Sequence, residues 1–158
     1  MFSLKRDDAM KISAKGRYAL ASAIEIARQS GMSGEYVSSI SISKSLGISK
    51  VFLEQIMAGM KKAELVSSAK GAGGGYSFLR PIENITVWDI LITAESALFE
   101  KTDSTVADNS PSIEAALREQ VFCKLDSAVK STLKQITLRE LLDASNYRNE
   151  DQAFMLNM

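Results

Sequence analysis

Apolar residues recur at intervals of three and four along the first half of the chain, which predicts amphipathic helices. A first helix begins after Ser13, a residue suited to an N-cap, and ends in the glycine-containing stretch 31–34. A second, short helix is expected over residues 39–46, with Ile40 and Ile42 directed into the core.

Gly47 separates the second helix from a third, which we place at residues 50–63 with Ser49 as its N-cap. The third helix has the apolar stripe of a helix that packs one face on a core; the stripe consists of Phe52, Leu53, Ile56, Met57 and Met60. Two helices joined by a tight turn form a helix-turn-helix, whose second helix enters the major groove of DNA. The pattern therefore predicts a recognition helix that starts at Ser49.

The period of the pattern changes after the third helix. Residues 65–69 are compatible with a short strand, residues 71–75 are almost all glycine, and residues 76–79 return as a second strand that Pro81 ends. Three helices followed by a hairpin is the order of elements in a winged helix-turn-helix domain. We therefore predict a mainly α-helical fold with a small β-hairpin wing.

The second half of the chain is expected to be helical around one polar interruption. Thr86 caps a fourth helix that runs from Val87 to about Ala97, with Trp88 among its inward side chains. Residues 100–111 are polar and nearly aperiodic, which is typical of a flexible linker.

A long amphipathic helix should follow the linker, from Ser112 to about Lys134. Its single apolar stripe needs a partner surface, on its own domain or on the same helix of a second chain. Thr137 and Glu140 have the spacing of a capping box, so a last short helix is expected over residues 138–144.

Composition and charge narrow the class of protein. Apolar residues make up 46% and charged residues 24% of the chain, as in soluble globular proteins. No apolar run could span a bilayer and the start is charged, so no membrane association and a cytoplasmic location are expected. Residues 11–80 hold ten Lys/Arg and four Asp/Glu, a net of +6, whereas residues 91–158 hold seven and eleven, a net of −4. A basic front half favours a polyanionic partner, with chance segregation of surface charge as the alternative.

Two helix starts carry residues with the chemistry of DNA contacts. The third helix offers side chains that could reach base edges: Ser49, Lys50, Val51, Glu54 and Gln55. Lys50 can donate to guanine or phosphate, Gln55 can pair with adenine, and Glu54 can accept from cytosine. The first helix offers a cluster suited to the DNA backbone: Lys11, Ser13, Lys15, Arg17 and Tyr18. Solvated helix faces with nothing bound are the alternative for both sets.

The tip of the wing is a third candidate contact. Lys70 flanks the glycines, and Gly71, Gly73 and Gly74 permit close approach of the backbone to a minor groove or a phosphate. These glycines do not form a P-loop, because no Gly-Lys-Ser/Thr follows them. A plain turn is the alternative.

Three stretches of this sequence, in order, resemble the Rrf2 (Rrf-two) family of bacterial winged helix-turn-helix transcription regulators. They are MKISAKGRYA at residues 10–19, FLEQI at 52–56 and LVSSAKGAGGGY at 65–76, within a resemblance that covers about residues 10–144. The resemblance implies a homodimer that binds a palindromic operator in double-stranded DNA. It also implies base reading by residues 50–55, a minor-groove role for Lys70, and a dimerisation helix that buries Leu117, Val121, Leu125 and Val129.

The sequence departs from those members of the family that hold an iron–sulfur cluster through cysteines between the fourth helix and the dimerisation helix. It has no histidine and a single cysteine, Cys123, which lies outside residues 100–111. One cysteine per chain cannot supply the usual four ligands, even in a dimer. We therefore expect no cluster, no metal and no other cofactor. Free cysteines are usually buried, so Cys123 is expected to be inert rather than a redox sensor.

The tail, residues 144–158, is similar to the end of a cluster-free member of the family that is controlled by a complex with cysteine synthase. The resemblance extends to a hypothesis of a regulator of cysteine or sulfur metabolism, with cysteine synthase or another regulatory protein as its partner. Phe154, Met155 and Leu156 would form the apolar part of that contact. The alternative is that they pack on the protein's own surface.

The predicted function is that of a sequence-specific, dimeric DNA-binding regulator that acts as a repressor. The alternative is a protein-interaction module with a winged fold that does not read DNA sequence. An enzyme is not expected, because no catalytic constellation is present. The predicted divisions are a disordered leader at 1–9, a winged helix-turn-helix domain at 10–99, a linker at 100–111, a dimerisation helix at 112–135, and a short helix and tail at 136–158.

Overall fold

Three helices and a hairpin form the first half of the fold, as predicted. The computed structural model describes residues 11–158, so the leader expected at residues 1–9 lies outside the described residues. The elements are α1 (Ala14–Ser30), α2 (Ser39–Leu46), α3 (Lys50–Lys62), β1 (Val66–Ala69) and β2 (Gly75–Phe78). The predicted caps are confirmed, since the hydroxyls of Ser13 and Ser49 accept the backbone N–H groups of Gly16 and Phe52.

The inward faces of these helices share one apolar core. Ile26, Ile42, Leu53 and Met60 are fully buried there, and each such side chain contributes about 1.5–3 kcal/mol through burial. The prediction was wrong for Ile40, which is 67% exposed. Residues two apart point in directions about 200° different on an α-helix, so α2 cannot bury Ile42 and Ile40 against the same core.

The wing is an antiparallel pair in which Val66 lies opposite Phe78. A third backbone segment joins it, because Val37 and Tyr76 exchange two N–H···O bonds of 2.9 Å each. The wing is therefore attached to the loop between α1 and α2 as well as to the end of α3.

The second half contains α4 (Val87–Leu91), α5 (Pro111–Leu117), a π-helical turn (Arg118–Phe122), α6 (Cys123–Gln135) and α7 (Leu138–Leu156). The segment from α5 through α6 is continuous and is called the long helix below. None of the helices over residues 11–158 is both long enough and apolar enough to cross a membrane.

Helix α4 is shorter than the sequence predicted. It ends at Leu91 instead of near Ala97, because the chain tightens into bonds between residues three apart. The N–H of Thr93 bonds to the carbonyl of Ile90 at 3.2 Å, and the Thr93 hydroxyl donates to the same carbonyl at 2.7 Å. This turn directs the following residues back toward the start of α1.

Residues 100–110 contain no helix or strand, and their far end is fixed to the long helix. The Glu114 carboxylate accepts the N–H groups of Thr105 and Val106, each at 2.9 Å. These two bonds lower the pKa of Glu114 below its ordinary value, and Arg118 adds to the effect. The flexibility predicted for the linker stays a prediction.

The last helix, α7, is longer than expected and is fastened to the core at its start. The predicted capping box is confirmed, because Thr137 and Glu140 exchange side-chain and backbone bonds of 2.8 and 3.2 Å. The helix continues to Leu156 instead of ending near residue 144, since residues 145–156 contain no glycine or proline and include several good helix formers.

A short backbone pairing joins the two halves of the chain. Thr86 forms an isolated antiparallel bridge with Thr137. The N–H of Leu138 bonds to the carbonyl of Ile85 at 2.8 Å, and both of these side chains are fully buried in the common core. The end of the long helix is thereby held against the start of α4.

Candidate nucleic-acid interface

The first turns of α3 present a row of exposed side chains beside a buried face. Lys50, Val51, Glu54 and Gln55 are all exposed, and Val51 is 66% exposed although it is apolar. The Ser49 hydroxyl accepts from the Phe52 N–H at 3.1 Å, which leaves its own proton available to a ligand. The structure thus brings all five predicted base-reading residues together at one helix start.

The charged groups of this row are held only weakly. Lys50 Nζ lies 3.7 Å from Glu54 Oε1, and both side chains are at least half exposed. An exposed pair one helical turn apart contributes only a few tenths of a kcal/mol, about 0.3–0.5. Each partner can therefore leave the other for a base or a phosphate at small cost.

The turn before α3 sets the angle at which this row is presented. Gly47 ends α2, and the N–H groups of Gly47 and Ile48 both bond to the carbonyl of Ser43. Leu46 and Ile48, on either side of the glycine, pack against the core. The two helices are therefore joined by a turn with its own apolar anchors, as a helix-turn-helix requires.

The wing tip has the geometry that its glycines suggested. Gly71 and Gly73 have φ values of 85° and 78°, a region that disfavours other residues. A Cβ on Gly74 would overlap the carbonyl of Ala69. Lys70, beside them, is exposed. The tip is therefore a narrow backbone turn that carries one basic side chain.

Two further side chains support the wing and were not identified from the sequence. The Lys61 ammonium donates to the Ser68 hydroxyl at 2.7 Å, and the Tyr36 and Ser67 hydroxyls lie 3.0 Å apart. The members of these pairs are 7 and 31 residues apart, which is beyond the spacing of three or four that a helical or capping pattern reveals. On the second strand, burial and then the charge of Glu54 raise the pKa of Tyr76 above its ordinary value.

The start of α1 also has the exposed basic surface that was predicted. Lys11, Lys15 and Arg17 are exposed. The rings of Tyr18 and of Phe52 on α3 are nearly perpendicular, with centroids 5.5 Å apart. Tyr18 therefore connects the basic start of α1 with the recognition helix.

Ser13 is used by the protein itself. Its hydroxyl accepts from the Gly16 N–H at 3.0 Å, and its own backbone N–H donates to the Glu95 carboxylate at 2.6 Å. Glu95 was not identified from the sequence, because 82 residues separate it from Ser13. The predicted role of Ser13 at the DNA backbone stays a prediction. Since its backbone N–H is already bonded, its hydroxyl proton is the group that could contact a phosphate.

The outer side of the long helix is an apolar surface that no other part of residues 11–158 covers. Ile113, Val121 and Leu125 are 55%, 47% and 54% exposed. Leu117 and Val129 are half-buried, and Val129 lies at the edge that also faces Trp88. None of the residues of α6, Cys123–Gln135, is buried. These side chains include the four that the sequence assigned to dimerisation.

The inner side of the long helix faces α4. Trp88 meets Phe99 edge to face with centroids 4.6 Å apart, and the Lys130 and Lys134 ammonium groups lie 5.4 and 5.8 Å from its ring centre. Cys123 lines the same side and is exposed. The burial expected for this cysteine from its residue type is therefore wrong for the single chain.

The recognition helix, its anchored turn and the glycine-tipped wing define a winged helix-turn-helix protein. A family model described as "Rrf2: Iron-dependent Transcriptional regulator" matches residues 12–144. The chain belongs to the Rrf2 family, as the sequence motifs indicated.

Relatives and solved structures agree with this assignment. CymR of Bacillus subtilis, a transcriptional regulator, is 33% identical over 92% of this chain and 98% of its own length. The solved structure of CymR, the global cysteine regulator of B. subtilis, covers 86% of this chain and 98% of its own, with a TM-score of 0.68 and 32% identity. The structure of IscR from T. potens covers 87% and 89%, with a TM-score of 0.66 and 31% identity. Since the family and these relatives are transcription regulators, the expectation that the chain is not an enzyme is confirmed.

The residues of this chain do not fit the iron that the family description names. Over residues 11–158, no three side chains of the His, Cys, Asp and Glu types lie together as metal ligands. The whole sequence has no histidine and one cysteine, so it cannot supply the four cysteine or histidine ligands that iron–sulfur clusters use.

Proposed function

We propose that this protein is a homodimeric, sequence-specific repressor that binds a palindromic operator without an iron–sulfur cluster. The observation that carries the proposal is the row of exposed side chains at the start of α3, beside the wing. Bases would be read by Lys50 and Gln55, because a lysine can donate to guanine and a glutamine can pair bidentately with adenine.

Around the recognition helix, basic side chains supply the sequence-independent part of binding. Lys11, Lys15 and Arg17 would contact phosphates, and Lys70 of each wing would reach the adjacent minor groove. The Lys50–Glu54 pair is weak enough to open for these contacts. A regulator bound to DNA through these contacts would repress transcription by covering a promoter. It would act in the cytoplasm because its DNA target is there.

The homodimer would form through the outer side of the long helix. An apolar row on an exposed helix is stabilised when a second copy covers it, and the same row on both chains gives a self-complementary, two-fold interface. Two-fold symmetry would place the recognition helices in successive major grooves, about 34 Å apart. This spacing is the physical reason for a palindromic operator.

Selection from a random pool of duplex DNA at moderate salt tests this function. We expect an enriched palindrome whose half-sites are about 10 base pairs apart, centre to centre. Weak, salt-sensitive binding without enrichment would contradict sequence reading and favour the alternative, a winged module that binds proteins.

A role in cysteine or sulfur metabolism, with cysteine synthase as a controlling partner, is the finer part of the proposal. It is supported by the similarity to a protein described as a global cysteine regulator. The end of α7 offers a surface for such a partner, because Phe154, Met155 and Leu156 are 68%, 70% and 86% exposed.

Binding of cysteine synthase to the full chain and to a chain without residues 147–158 tests the partner. We expect binding to the full chain and its loss on truncation, measured by calorimetry. A truncated protein that keeps its helical content and binds cysteine synthase like the parent would contradict the role of the tail.

A further inference from the structure

A buried carboxylate contacts the beginning of α1, the segment that also carries the basic side chains assigned to the DNA backbone. Glu95 is only 7% exposed, and its Oε1 atom accepts the backbone N–H of Ser13 at 2.6 Å. It belongs to the tight turn after α4, in the segment that leads to the long helix. The contact therefore joins the first turn of α1 to a distant part of the chain.

Gly16 has no side chain at the place where this carboxylate enters. A Cβ on Gly16 would overlap Glu95 Oε1, and it would come within 2.9 Å of the Glu95 Cδ and 2.8 Å of the Cγ2 methyl of the Ile12 side chain. Glycine inside a helix costs about 0.5–1 kcal/mol relative to alanine. The close approach of Glu95 explains why glycine is present in the first turn of α1 despite that cost.

The carboxylate also determines how this helix start can meet DNA. A negative charge near the N-terminus of a helix is stabilising, and Glu95 already occupies the Ser13 N–H that a phosphate would otherwise use. A phosphate at this helix start would therefore rely on neighbouring basic side chains in place of the Ser13 N–H. Within residues 11–158, the segment around this helix start carries the exposed cations Lys11, Lys15 and Arg17.

We propose that Glu95 is a positioning residue of the DNA interface, which fixes the first turn of α1 so that Lys11, Lys15 and Arg17 meet the phosphates. Gly16 contributes to this arrangement because the absence of a side chain leaves space for the Glu95 carboxylate. The inference rests on the proposed function. A purely electrostatic role makes the opposite prediction, since removal of a negative charge from this surface would strengthen DNA binding.

A double-mutant cycle on DNA affinity tests the proposal. The variants are Glu95→Ala, Gly16→Ala and the double variant, measured by fluorescence anisotropy on the selected operator and on a scrambled duplex at several salt concentrations. We expect each single variant to bind both duplexes about tenfold more weakly, which corresponds to about 1.4 kcal/mol. The salt slope should fall by about 0.9 for each phosphate that the variant no longer neutralises.

The double variant should bind no more weakly than Glu95→Ala alone, because the added methyl group then enters the space that the carboxylate leaves. Glu95→Gln keeps an acceptor oxygen for Ser13 and should restore affinity to within about threefold of the parent. Glu150→Ala, a charge removal at an exposed position on α7, is the matched control and should leave affinity unchanged.

Equal affinity of the parent and of folded Glu95→Ala, tighter binding by that variant, or additive losses in the cycle would overturn the inference. If Glu95→Ala does not fold, as judged by circular dichroism, Gly16→Ala carries the test because it adds one methyl group to a helix. A parent that binds no DNA would contradict the proposed function itself, whereas a parent that binds with unaffected variants contradicts only the role of Glu95.

Discussion

Helices α3 and α6 have the same kind of amphipathic pattern but opposite surroundings. Leu53, on the apolar side of α3, is fully buried, whereas Leu125, on the apolar side of α6, is 54% exposed. Within residues 11–158, the apolar face of α3 is covered by the core of the winged domain, whereas the outer side of the long helix is not covered. Periodicity thus shows that a helix needs an apolar partner, but it does not show whether that partner belongs to the same chain.

The largest effect on stability is expected from Leu53→Ala. Truncation of a fully buried leucine leaves a cavity and should lower the free energy of unfolding by about 3 kcal/mol at any protein concentration. The matched variant Leu125→Ala should cost little in dilute protein and more in concentrated protein, where a second copy covers the long helix. Urea titration at several protein concentrations measures both values. A loss at Leu125 that does not depend on concentration would contradict a partner in a second copy.

A charge on the outer side of the long helix should break the dimer. Leu125→Asp places a carboxylate in the proposed interface, and we expect a monomer in sedimentation experiments and a loss of operator affinity of about a hundredfold, or about 2.7 kcal/mol. Leu156→Asp makes the same change at an exposed leucine of α7 and is the control. A dimer that survives Leu125→Asp would place the interface elsewhere.

Within the DNA interface, base-reading and backbone residues should respond differently. Gln55→Ala should relax base preference at one position of each half-site, with a cost of about 1–3 kcal/mol for the preferred base. Lys15→Ala should weaken all sequences alike and reduce the salt slope by about 0.9. Selection profiles and salt titrations separate the two, and an unchanged profile for Gln55→Ala would contradict its assignment.

The smallest effect concerns acid stability at the start of the long helix. The pKa of Glu114 is lowered by the N–H groups of Val106 and Thr105 and by Arg118. A lowered pKa in the folded state means that the stabilisation is present above the unfolded value and is lost as pH falls through the folded value. Glu114→Gln should therefore melt below the parent at neutral pH, and the difference should shrink in acid. A difference in melting temperature that does not depend on pH would contradict this.

Local signals were sufficient for most of the elements. Serine caps, the glycine breaks and the capping box at Thr137 act within one helical turn, so their effect can be read from the sequence. The end of α7 had no such signal, and a helix without glycine or proline continued where a tail was expected. Ile40 shows the limit of periodicity in a helix of eight residues, where two apolar neighbours compete for one core.

The pairings that the sequence could not indicate are those between distant residues. Val37 joins the wing through backbone bonds, which any residue other than proline could form. Glu95 bonds to Ser13, 82 residues away in sequence. The one local sign of this contact in the sequence is a glycine, Gly16, inside a helix. The exposed row on α3 was predictable because the helix-turn-helix order determines which helix start is presented.

Because Thr86 pairs with Thr137, the second half of the chain is attached to the winged domain at both of its ends and does not project from it as a free helix. The polypeptide leaves the winged domain after α4, passes along the long helix, and returns to bury Leu138 beside the same core that holds Ile85. A single cut within residues 100–104 would leave two fragments that remain fastened together by that shared core. A partner bound to the outer side of the long helix would therefore be connected to the winged domain at two points, through the chain that follows α4 and through the pairing of Thr86 with Thr137.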